Sequence, residues 1–248
     1  MAIDRQRFTP RERRVIDEHK TPRHVQRFFN RLPYNTQHSA RDATLRSFRG
    51  VVRHWTAHCL EAALAAAVIL ENHGYPPLVL SLESEDLLDH VMFVYRRRGR
   101  WGSVARSRDP GLHGRKPVFR TARDLALSYV EPYVDFSGRI VGYAVADLRA
   151  LGRYDWRLSS HNVWKAERLL QDHPHRPIRS SDRRIERLRR RFRAFKDRYP
   201  DRKPLYFGGQ ETWTPLPREF GRRQRVDGVP MTRALQEAVR DEPKALST

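Results

Sequence analysis

The sequence predicts an α+β fold in which a buried helix packs on an antiparallel sheet. Three observations lead there. First, the stretch His58–Tyr75, HCLEAALAAAVILENHGY, carries an apolar run with no polar face, as in a helix buried on nearly every side. Second, the pattern after Tyr75 switches to the alternation of strands over residues 76–107. Third, 39% hydrophobic and 10% aromatic residues suffice for a packed core and exclude wholesale disorder.

Taken in order, residues 1–20 are charged and predict a flexible basic arm. Thr21-Pro22 reads as N-cap and first residue of a short amphipathic helix bearing Val25, Phe28, Phe29 and Leu32, which Pro33 ends. Leu45, Phe48, Val51 and Val52 give a second helical face that packs on the central helix. A break between Arg53 and His58 lets Cys59 start the central helix, and Gly74 closes it.

Pro76–Ser84, His90–Arg97 and Arg100–Ser107 then read as strands, with Glu85–Asp89 an acidic loop and Arg98-Gly99 a tight hairpin turn. Val91, Phe93 and Tyr95 share one strand face; His90, Met92 and Val94 share the other, which is expected to meet the central helix. Thr121 and Asp124 form a cap signature for the helix TARDLALSYVEPY. SGRIVGYAVADLRAL adds one more strand and then helix, and helices over WRLSSHNVWKAERLLQDH and SDRRIERLRRRFRAFKDRYP complete the pattern. The last of these is basic, with an apolar stripe of Ile185, Leu188, Phe192 and Phe195. The organisation is thus an arm (1–20), a core domain (21–151) and a basic helical C-terminal extension with an irregular tail (152–248).

Net charge is +20, so polyanions will bind non-specifically whatever the chain does. The arginine excess has two explanations, genome base composition and phosphate contacts. One cysteine in 248 residues excludes an intrachain disulfide framework. The N-terminus lacks the apolar segment of a secretory signal, and the run Ala62–Leu70 is too short to span a bilayer. A cytoplasmic protein with no membrane partner is expected.

Cys59 is the first candidate for chemistry. A thiol at a helix N-terminus sits among unpaired N–H groups at the positive end of the macrodipole, and both favour thiolate. A cysteine nucleophile also needs a base and a group that orients the base. His90, at the start of a following strand, and Asp109, after the next one, supply the right types in a plausible order. HWTAHC has histidines at i, i+4, but neither the glutamate of a zincin motif nor a Cys-x-x-Cys pair, so no metal is assigned. RRIERLRRRFRAFKDR is a candidate phosphate-backbone contact without any helix-turn-helix, zinc-finger or RNP pattern.

A Cys-helix, a strand opening with His90 and VMFVY, then Gly99-Arg100-Trp101 and Asp109-Pro110, resembles the transglutaminase-like branch of the papain-like cysteine peptidase and acyltransferase superfamily. The resemblance covers residues 45–135 by motif order. It implies a papain-like core, a thioester on Cys59 with His90 as general base, and a protein or peptide amide as substrate, either hydrolysed or transferred. It implies no cofactor. The oxyanion hole would combine the Cys59 N–H with Trp55 or a neighbour, and His58 would line the site. One departure stands out. The family's aspartate follows the tryptophan by a few residues, near Ala105 here, so the third member is Asp109, Ser107 or absent. The rival class is a non-catalytic basic module that binds nucleic acid or another polyanion.

Overall fold

In the computed structural model, which describes residues 4–37, 39–221, 225–226 and 229–230, three short helices lead into the central one. The first, α1 (Pro10–Glu18), corrects the expectation of a flexible arm. Thr9 and Glu12 close a capping box around Pro10, and Phe8, Val15 and Ile16 are buried. Glu12 is buried as well, paired with Arg49 at 2.8 Å. The Thr-Pro-x-Glu signal was present in the sequence, outweighed there by the density of charge.

α2 (Pro22–Phe29) starts on the Thr21 cap and buries Val25, Phe28 and Phe29. α3 is shorter than the apolar pattern suggested, Phe48–His54, because Ser47 caps it only at Gly50. It ends on Trp55, whose φ of +59° is left-handed. This is the break that frees Cys59 to begin α4 (Cys59–Glu71). Every residue of α4 from Leu60 to Leu70 is buried. At its far end Glu71 pairs with Arg157 through two contacts of 2.8 Å, and the chain reverses at Gly74, where φ is +83°.

Five strands form one antiparallel sheet in the order β3-β2-β1-β4-β5, with β1 Leu78–Ser84, β2 His90–Arg97, β3 Arg100–Val104, β4 Ile140–Asp147 and β5 Arg176–Pro177. Arg98 and Gly99, both at positive φ, make the β2–β3 turn. The sheet separates two cores. Val79, Val91, Phe93 and Tyr95 pack with α4 on one side. Leu80, Leu82, Met92 and Val94 pack on the other with residues of α5 (Ala122–Leu127) and α6 (Val130–Tyr133), among them Leu125, Tyr129 and Val130. The face that His90 shares with Met92 and Val94 is therefore turned away from α4, contrary to expectation. His90 still reaches Cys59 because it opens its strand and stands at the rim of the sheet.

β3 stops at Val104 rather than Ser107. The buried amide of Gln26 takes both backbone groups of Ala105, accepting from its N–H at 3.0 Å and donating to its carbonyl at 2.9 Å. That clamp ends strand pairing and starts the loop that builds the site.

Beyond residue 151 come α7 (Trp164–Gln171) and α8 (Asp182–Arg198). α8 docks through Ile185 and Phe195, and its Arg191 is held by Glu131 at 3.2 Å and the Tyr206 carbonyl at 2.9 Å. Phe195, Tyr199, Leu205, Tyr206, Phe207 and Trp213 form a third, smaller core. The Gly/Pro-rich stretch around Tyr206, Phe207 and Trp213 is thus packed. The expected tail beyond residue 230 lies outside the described residues. No described helix is long and apolar enough to cross a membrane.

Candidate active site

Cys59 opens α4 at the base of a cleft of about 400 Å³, and His90, Tyr34 and Asp109 are among the residues that line it. Two imidazoles, those of His58 and His90, act on the thiol. Burial alone would push the thiol up. The hydrogen bonds and positive charge of the two rings outweigh burial and hold Cys59 well below the ordinary value of 9.0.

His58 is the residue that precedes the helix. Its Nε2 donates to the Thr44 carbonyl at 2.9 Å. A ring that serves a carbonyl with one nitrogen and a thiolate with the other must carry a proton on both. Burial would pull His58 down from 6.5, but the Cys59 hydrogen bond, the charges of Cys59 and Glu61, and the Thr44 carbonyl raise it to about 9.

Beneath it lies Glu61, fully buried one turn into the helix. Its carboxylate accepts from Thr44 Oγ1 at 3.1 Å, Arg46 N at 2.9 Å, Asn35 Nδ2 at 2.9 Å and the His58 backbone N at 3.1 Å. The same group stands 3.7 Å from His58 Nε2. A carboxylate with four donors repays its desolvation and fixes both the helix start and the charge on His58.

The His90 ring is oriented by a backbone carbonyl. Its Nε2 lies 2.9 Å from the Leu112 oxygen. A carbonyl only accepts, so the proton sits on Nε2 and the Nδ1 lone pair is left for the thiol proton. Leu112 closes a single 3-10 turn, Pro110–Leu112. The carbonyls on either side of it, Gly111 and His113, accept from the buried Arg115 at 2.6 and 2.7 Å. Among the described residues Arg115 has no carboxylate partner; Ser128 and the faces of Tyr129 and Trp213 complete its surroundings. The guanidinium therefore aims two carbonyls at itself and leaves the one between them to His90.

Asp109 does not take the expected orienting place. Its carboxylate pairs with Lys203 at 2.8 Å, and its N–H donates to Ser107 Oγ at 3.1 Å. At Ala105, where a family aspartate was sought, the Gln26 clamp occupies the backbone. Trp55 is also elsewhere. Its ring meets Phe28 at 5.4 Å and Arg11 at 4.9 Å, and its N–H is spent on the Val51 carbonyl at 2.8 Å. A residue that ends one helix in a left-handed turn points away from the helix that follows.

Sequence reasoning missed Tyr34. Pairing of Tyr34 with Ala57 brings it beside the start of α4, and its hydroxyl faces the Cys59 backbone N–H. Burial and the neighbouring thiolate push Tyr34 up from 10.0 and keep it a neutral donor. The only signal in the sequence is Pro33, which lies four residues beyond the end of α2 and just before Tyr34.

No protein-family model and no curated protein matches the chain. Among solved structures it is similar to Legionella pneumophila LapG, with 14% identity over 66% of this chain and 92% of that one and a TM-score of 0.35. EGTA-treated LapG gives 14%, 60%, 89% and 0.34, and calcium-bound LapG 15%, 67%, 93% and 0.33. A likeness this distant identifies neither family nor activity.

Proposed function

We propose that the chain is a cysteine-dependent amide hydrolase or acyltransferase that works through a thioester on Cys59. The observation that carries the reading is a thiol held between two imidazoles at the start of a buried helix and open to a cleft. The motif order shared with transglutaminase-like enzymes supports it.

Of the two histidines, His90 lines the cleft and is the acid and base; His58 is a fixed cation that favours the thiolate. His90 Nδ1 takes the thiol proton and Sγ forms a bond to the amide carbon. The carbonyl oxygen, now an anion, is met by the Cys59 N–H and the Tyr34 hydroxyl. When the C–N bond breaks, His90 returns its proton to the leaving amine. Water or a second amine then attacks the thioester, giving its proton to His90, and the thiolate leaves. No step calls on Asp109, which secures the cleft wall through Lys203.

The test is a p-nitrophenyl ester mixed with native protein. Burst release of nitrophenol with an acyl mass on Cys59, absent in Cys59→Ser and strongly slowed in His90→Ala, is expected. A burst that survives Cys59→Ser, or no acyl mass on Cys59, overturns the reading.

A further inference from the structure

The walls of the cleft carry charge of both signs, and the two signs are used differently. On one wall stand Asp86, Asp89 and Asp135. Each serves its own loop. Asp86 accepts from Ser84 Oγ at 2.6 Å and Ser137 Oγ at 2.9 Å, Asp89 from Ser84 N at 3.0 Å, and Asp135 from Gly138 N at 2.7 Å. Each carboxylate thus has at least one oxygen tied to the loops of the rim.

The same cleft is also lined by Arg108, from the loop after β3, and by Lys196 and Arg202, from α8 and the turn beyond it. None of these three has a carboxylate partner among the described residues, whereas the fourth cation, Lys203, is neutralised by Asp109. Lys196 spends its ammonium on the Pro200 and Arg202 carbonyls. Arg108 is exposed and makes no hydrogen bond. Arg202 lines the cleft with its guanidinium 5.4 Å from the Tyr199 ring, and its Nη1 has no acceptor among the described residues. A buried guanidinium N–H without an acceptor is unfavourable unless a ligand supplies one.

We infer that the cleft takes an amide substrate bearing a carboxylate near the scissile bond, seated on Arg202 and Arg108. Guanidinium groups match a carboxylate with paired donors, which a lysine wall would not. The carboxylate belongs either to an acidic side chain or to a free C-terminus. This assignment rests on Cys59 being the nucleophile and names the substrate class of that same site.

Three alkylating probes of one size test it: N-iodoacetyl-glutamine amide (neutral), N-iodoacetyl-glutamate amide (acidic side chain) and N-iodoacetyl-glutamine (free carboxylate). Second-order labelling of Cys59 is followed by intact mass at fixed ionic strength. At least one anionic probe should react about fivefold or more faster than the neutral one. Arg108→Gln and Arg202→Gln should each erode that preference while leaving the neutral probe unaffected. Arg123→Gln, which removes an equal charge from the exposed start of α5, should leave all three rates unchanged. Equal rates for the three probes overturn the inference while leaving the nucleophile in place. So does a preference that Arg123→Gln lowers as much as the cleft variants do, since the overall charge then explains it. Labelling of Cys59 by none of them removes the nucleophile and the inference together. Arg108 is exposed and unbonded, so its variant keeps the test decisive should Arg202→Gln fail to fold.

Discussion

Replacing His58 with glutamine separates the cation beside the thiol from the acid and base in the cleft. The rise of His58 from 6.5 to about 9 corresponds to roughly 3 kcal/mol of preference for imidazolium. Burial opposes that rise, and Cys59 leads the groups that produce it, ahead of Glu61 and the Thr44 carbonyl. Coupling is reciprocal: what the thiolate does for the imidazolium, the imidazolium does for the thiolate. His58→Gln should therefore raise the pH midpoint of Cys59 alkylation by about one unit. In the parent protein, reactivity should change again as pH passes about 9, where His58 loses its proton, and the variant should lack that second step. Iodoacetamide labelling between pH 4 and 10, followed by mass spectrometry under native conditions, reads both. Stability follows the same sign. A histidine raised in the folded state stabilises fully below 6.5, and that contribution fades as pH rises through about 9. A variant with an unshifted midpoint and an unchanged alkaline step would show that His58 is only a helix cap.

Three further outcomes follow from the geometry. His90→Ala should slow alkylation of Cys59 near neutral pH and cut ester turnover by about 100-fold or more, read by nitrophenol release. Tyr34→Phe should leave alkylation within about twofold but lower the acylation rate by about 10- to 1,000-fold, because alkylation develops no oxyanion; equal effects on both would refute the hydroxyl's role. Arg115→Leu should destabilise the fold by about 3–5 kcal/mol, measured by urea titration, since several buried carbonyls lose their donor.

The proposed nucleophile and base could be picked out because each is declared by local pattern. Cys59 precedes a run that can only be a buried helix, and His90 begins an alternating strand. Even so, the alternation assigned His90 to the wrong side, as periodicity gives faces but not the rim where a strand begins. The orienting group was invisible for a deeper reason. Leu112 contributes a carbonyl, which every residue has, and its direction comes from Arg115 packed beneath. Tyr34 was hidden in the same way, since it is placed by a single bridge to Ala57 across a sequence gap. Trp55 drew attention by its nearness to Cys59, yet a left-handed residue between two helices sends its side chain elsewhere. Glu61 is three residues after His58, the spacing of a capping box, and that signal could have been read.

The docking of the C-terminal segment on the loop after β3 has a consequence for how this molecule can be altered. Lys116 N donates to the Thr212 carbonyl at 2.7 Å and Thr214 N to that of Gly114 at 3.0 Å, which stitches residues 212–214 beside the strap that carries Arg115. The same segment returns Lys196, Arg202, Lys203 and Phe207 to the mouth of the cleft. Reactivity is thus encoded between Tyr34 and Arg115, and admission is encoded some eighty residues later. Grafting a different segment onto the strap should change which molecules reach the thiol while its ionisation stays the same, so that the extension acts as a replaceable gatekeeper over the proposed reactive centre.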